Sequence, residues 1–164
     1  MCEGAAMIRF AMILAMLASP VAGAPPRRAC DWLALADPGA VLGAPVSLTP
    51  GFARGNDEMR VSLCTATTDA GDSLALLYRS TPGQGGQSGA DLIAAYRAEL
   101  AEVMSPPPEL EEIALGTAAV WEGRMHQLTV WSHGGAAMMV LTLFGPQARA
   151  RCVAAARAIL AAGG

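Results

Sequence analysis

The chain has no lysine; all eleven of its basic residues are arginine. That absence excludes Schiff-base catalysis, Walker-type phosphate binding and Ser-Lys dyads together, because each needs an ε-amine. Aromatic residues make up only 5% of the sequence. Each of Trp32, Trp121 and Trp131 is therefore expected in the core or half-buried on a sheet rather than in an aromatic groove. The net charge is -3, and no basic footprint or binding motif points to nucleic acid as a partner. No apolar run reaches the ~20 residues that a membrane-spanning helix requires.

What the N-terminus does have is the pattern of a secretory signal peptide over Met7 to Ala24. Arg9 supplies the positive charge, Phe10 to Leu17 the apolar run, and Val21-Ala22-Gly23-Ala24 the small residues of a cleavage site. Cleavage after Gly23 or after Ala24 fits equally, and either Met1 or Met7 serves as a start. Residues 1–24 are read as the signal peptide and 25–164 as a single domain, periplasmic or secreted. Its 140 residues suffice for one core.

Export changes the meaning of the cysteines. Cys2 leaves with the signal, and Cys30, Cys64 and Cys152 remain where disulfides persist. An odd count leaves one thiol unpaired. Spacing alone does not fix the connectivity, but Cys30 with Cys64 is the favoured bridge, because it would staple the head of the domain to a strand. Cys152 shares a helical face with Val153, Ala156 and Ile159, which suits a buried free thiol.

The pattern along the chain predicts a helix over Asp31 to Leu42, with Asp37 capping and Pro38 at the first helical position. Strands follow at Val46 to Thr49, Met59 to Ala66 and Ser73 to Arg79, and a Gly/Gln/Ser loop runs from Ser80 to Gly89. A helix from Gly89 to Met104 is capped by Ser88, with Asp91 completing a capping box. Pro106, Pro107 and Pro108 end it. The acidic run Glu109, Glu111 and Glu112 reads as a solvated loop. Thr117 to Trp121, Met125 to Ser132 and Ala136 to Phe144 read as an antiparallel meander, and a last helix spans Pro146 to Ala162. A two-residue turn at Gly134-Gly135 pairs Val130 with Met139, Leu128 with Leu141 and His126 with Leu143. This order predicts an α+β domain: an antiparallel sheet of five or six strands with helices packed against it.

Three chemistries were weighed on these elements. Met125, His126, His133 and Met138 have the thioether and imidazole donors of an exported copper site, although strand alternation places them on two faces. Gly86-Gln87-Ser88-Gly89-Ala90 approaches a nucleophile elbow but has Ala90 where that motif needs glycine, so Ser88 is better read as a helix cap. The amides of Gly83 to Gly89 could cradle an anion at a helix start, yet they match neither phosphate-loop pattern. Trp131 and His133 share a mixed sheet face, which makes them candidates for partner contact if no helix covers it.

Cys30-Asp31-Trp32-Leu33, Leu42-Gly43-Ala44-Pro45-Val46, Cys64 and Ile113 to Ala119 together resemble small exported bacterial domains of unknown function, the DUF3558-type lipoproteins. The sandwich of those domains is similar to the PsbP-like fold. The resemblance implies a fold and brings no catalytic residues. This chain lacks the lipobox before Cys30 and carries Asp37-Pro38 where that family has Thr-Pro. The expectation is a non-catalytic exported domain that binds an envelope protein or a small ligand without a cofactor, with copper handling as the alternative.

Overall fold

The computed structural model describes residues 27–163, so the expected leader and its expected cleavage site lie outside the described residues. The predicted first helix is two helices, α1 (Ala29–Leu35) and α2 (Pro38–Leu42). The break is Asp37, whose φ of 47° lies in the left-handed region and interrupts the i to i−4 ladder. Its carboxylate still caps α2, accepting from Ala40 N at 3.2 Å, and Pro38 holds the first helical position.

Seven strands follow: β1 (Val46–Gly55), β2 (Arg60–Thr68), β3 (Ser73–Ser80), β4 (Leu110–Glu112), β5 (Ala118–Glu122), β6 (Gln127–Ser132) and β7 (Ala137–Leu143). They form one antiparallel sheet in the order β1-β2-β3-β7-β6-β5-β4. Helix α3 (Gly89–Val103) connects the two halves in sequence, and α4 (Ala148–Gly163) follows β7. The α+β class is as predicted, and the sheet has one strand more than the upper expected number. That strand is β4, within the acidic run read as a loop. Leu110 turns toward α3 while Glu111 and Glu112 stay exposed, so a half-buried position hides among charges. Glu111 forms an ion pair with Arg149, which holds the glutamate's carboxyl below its usual range.

Strand β1 also runs further than predicted, past Pro50. Pro50 lacks an N–H, but β1 is an edge strand and its register shifts between Pro50 and Ala53, so no ladder bond is stranded. In the meander the predicted pairs Val130 with Met139 and Leu128 with Leu141 are present. Met125 and His126 instead lie in the turn before β6, where His126 has a φ of 53°. The turn is held by the buried Glu122 carboxylate, which accepts from the amides of Arg124 and Met125. The backbone pairing persists one step further, with Leu143 N donating to His126 O at 3.3 Å.

Alternation along these strands gives two apolar layers. On one face Leu74, Leu76, Leu128 and Leu141 pack against Leu33 of α1 and Ile159 of α4, all almost fully buried. Each such side chain contributes about 1.5–3 kcal/mol relative to exposure. Cys152 lies in this layer. It is the free cysteine among the described residues, its Sγ is 3.9 Å from Leu141 O, and burial pushes its thiol up to about 12. At mildly alkaline pH a thiol of this kind holds roughly one part in ten thousand as thiolate. Native protein should therefore resist alkylation and take up one label only in denaturant. Rapid labelling of the native state would contradict the burial.

On the opposite face α3 lays Leu92, Ile93 and Tyr96 over Val120 and Trp131. Trp131 is 3% exposed and meets the Tyr96 ring edge-on at 5.3 Å. The mixed face was a partner surface only if no helix covered it, and α3 covers it. Trp131 is a core residue.

Candidate functional site

At one end of the sheet the core face passes from leucine into polar side chains. Tyr78 stands there, flanked in register by Ser62 on β2 and by Met139 on β7. Helix α1 lies across this end because two ties hold it. The Cys30–Cys64 disulfide joins α1 to β2 with a Cα–Cα distance of 5.0 Å, and Ala29 N donates to Ser62 Oγ at 2.9 Å. The favoured cysteine pairing is thus the one observed. With α1 in place, Arg27 and Arg28 face Arg54 and Arg60, which flank the β1–β2 turn. That turn is braced by Asn56 Oδ1, which accepts from Glu58 N at 2.9 Å and Met59 N at 3.0 Å.

The result is a cleft of about 310 Å³ that gathers four of the eleven arginines. Its one acidic lining residue, Asp57, is paired with Arg60 at 2.8 Å. Nearby, Asp31 accepts from Arg28 N at 2.8 Å. Tyr78 also borders a second, smaller hollow of about 90 Å³, an apolar slot lined by Trp32, Met139, Ile159, Leu160 and His133. The cleft and the slot share Tyr78, whose ring centroid lies 5.4 Å from that of Trp32. Arg27 lies over the indole at 4.9 Å.

The electrostatics of this junction are unusual for a structural corner. Trp32 Nε1 is shielded from solvent and lacks a hydrogen-bond partner, the one such side-chain polar atom among the described residues. The neighbouring Tyr78 phenol approaches it without completing a hydrogen bond. Burial raises the phenol above its ordinary value, and the indole N–H pulls it partly back. Of the four arginines that line the cleft, Arg27 lies over the Trp32 ring, Arg54 over the Phe52 ring at 5.9 Å, and Arg60 is paired with Asp57. The site therefore offers positive charge, a buried donor and a short apolar recess, and nothing in it supplies a nucleophile paired with a base.

The sequence-derived candidates distribute differently. His133 reaches the mouth of the slot, exposed and with a φ of 52°. His126 sits at the opposite end of β6, seven residues away, which is roughly 20 Å of extended strand. Its ring packs between Trp121 and Phe144, at 6.4 and 5.2 Å. Met125 stays in that far turn, and Met138 packs with the α3 layer. The four residues of the copper expectation do not converge. No group of three or more His, Cys, Asp or Glu side chains that could hold a metal occurs among the described residues.

Ser88 caps α3: its Oγ accepts from Asp91 N at 3.2 Å and donates to Asp91 Oδ2 at 2.6 Å. Ser88→Ala should lose about 1 kcal/mol of stability and no ligand binding. Chemical denaturation reads the first and a titration the second. The loop amides expected to cradle an anion are partly committed elsewhere. Gln87 N donates to Gly134 O and Gln84 N to Thr81 O, both at 3.0 Å. Gly134 must be glycine here, because a Cβ would stand 2.4 Å from Gly86 N.

The arginine cleft had no counterpart among the sequence-derived sites. Its residues lie between positions 27 and 60, and only the disulfide and the β1–β2 hairpin bring them together. The Arg27-Arg28 doublet just before Cys30 is the single local signal. A wider groove of about 660 Å³ lies beside Trp121, where Arg124 Nη1 donates to Pro106 O at 3.1 Å and Glu111 is paired to Arg149. No protein-family model, curated protein or solved structure matches this chain.

Proposed function

We propose that the protein is an exported, non-catalytic binding domain of the periplasm or cell envelope, and that its ligand occupies the junction of the arginine cleft and the apolar slot. The observation that carries this reading is the cleft that gathers Arg27, Arg28, Arg54 and Arg60 against one acidic side chain and shares Tyr78 with the apolar slot. The nucleophiles weighed from sequence have structural duties instead, Ser88 as a cap and Cys152 as a core thiol. The leader pattern, the disulfide and the likeness of the Cys30 and Leu42 motifs to exported domains support the location. No helix among the described residues is long and apolar enough to cross a membrane.

Two measurements test the reading. Expressed with its leader, the chain should be recovered by osmotic shock, its mass reduced by the loss of residues up to Gly23 or Ala24. Recovery in the cytoplasm at full mass would refute export. Envelope extract added to isotope-labelled protein should move the Trp32 indole N–H resonance. If extract never moves it, the binding site is misplaced.

A further inference from the structure

We infer that the ligand is a small organic anion, a phosphate or carboxylate bearing a short alkyl end; this rests on the binding reading above and specifies its chemistry. The charge comes first. The chain as a whole is acidic, at -3, yet the cleft lining holds four guanidinium groups against one carboxylate, and that carboxylate is already paired with Arg60. Among the described residues Arg28 and Arg54 form no ion pair. Such groups repel one another until an anion enters, and the planar guanidinium fork matches the oxygens of phosphate and carboxylate. A neutral ligand would leave that repulsion in place.

The slot sets the other end. At about 90 Å³ it is smaller than the 150 Å³ cavity that admits benzene, and it is walled by Trp32, Met139, Ile159 and Leu160. An alkyl end of roughly three or four carbons fits where an aromatic ring does not. Each methylene buried there should tighten binding about fourfold. Between the two ends stands Tyr78, which lines both. One ligand thus accounts for two separate features, the clustered charge and the narrow apolar recess.

The same chemistry could be presented by a free phosphomonoester or by the headgroup of an anionic phospholipid. The test uses butyl phosphate, inorganic phosphate, butanol and phosphatidylglycerol vesicles with the purified protein, followed by calorimetry and amide and indole chemical shifts. Butyl phosphate should bind, moving the Trp32 indole N–H and the amides from Arg54 to Arg60. Inorganic phosphate should bind at least about tenfold more weakly for want of the alkyl contact. Arg28→Gln with Arg54→Gln should weaken butyl phosphate by about tenfold or more while leaving the thermal midpoint in place. Vesicle binding that the arginine double variant abolishes would support the proposal and assign the source to a lipid headgroup. Butanol binding as tightly as butyl phosphate, or a double variant that binds unchanged, overturns it. If envelope extract moves the Trp32 indole signal and butyl phosphate does not, the anionic assignment falls and the binding reading stands. If neither moves it, both fall.

Discussion

Replacing Cys30 and Cys64 with alanine should lower stability by about 3–4 kcal/mol, corresponding to roughly 10–15 °C in thermal midpoint for a domain of this size. The bridge spans a separation of 34 residues, and opening it releases that loop's entropy into the unfolded chain. The native-state consequence is local. Helix α1 would keep Leu33 in the core but lose its covalent tie to β2, leaving the Ala29 N to Ser62 Oγ bond as its polar anchor at this end. Arg27 and Arg28 would then no longer be held opposite Arg54 and Arg60. The double variant should therefore lose ligand affinity even at temperatures where the sheet is intact. Calorimetry gives the stability loss and the butyl phosphate titration the affinity loss. A variant with the midpoint of the parent would show that the bridge is dispensable, and one with parental affinity would show that α1 does not need it to build the cleft.

Trp131→Ala should cost about 3–5 kcal/mol, the range for truncating a buried aromatic. Most of that loss falls on one interface. Helix α3 is held to the sheet by Leu92, Ile93 and Tyr96 against Ala118, Val120 and Trp131, a much smaller cluster than the one on the other face. The edge-on contact between Tyr96 and Trp131 adds to the burial. Without the indole, α3 amides should exchange with solvent well before those of β3 and β7, because the larger core survives. Hydrogen exchange followed residue by residue distinguishes this from a uniform loss. A variant of parental stability would restore Trp131 as a surface residue available to a partner.

How far the chain could be read before folding depended on the range of the interactions involved. Leu128 with Leu141 and Val130 with Met139 were legible because alternation and a tight glycine turn leave one register. Ser88 and Asp37 were legible as caps, since capping depends on three or four neighbouring residues. β4 was not, because three residues with two glutamates carry no strand pattern; pairing with β5 and Leu110 under α3 make it one. Nor was the burial of Trp131. Alternation placed it correctly on the second face, but whether that face meets water or a helix is settled by where α3 docks.

The candidate site lay at the far end of the same scale. The sequence by itself determined the absence of lysine chemistry, the leader pattern, the cysteine count and the α+β order of elements. All are properties of composition or of local periodicity. Only the tertiary structure decided that Cys152 is buried while Cys30 reaches Cys64, and that His126 and His133 stand at opposite ends of one strand. Only there do Arg27, Arg28, Arg54 and Arg60 share a cleft beside the unpartnered indole of Trp32. The physical reason is that charge repulsion and hydrogen-bond satisfaction depend on distances in space, and those distances are set by a disulfide and a hairpin that close between residues far apart in the chain.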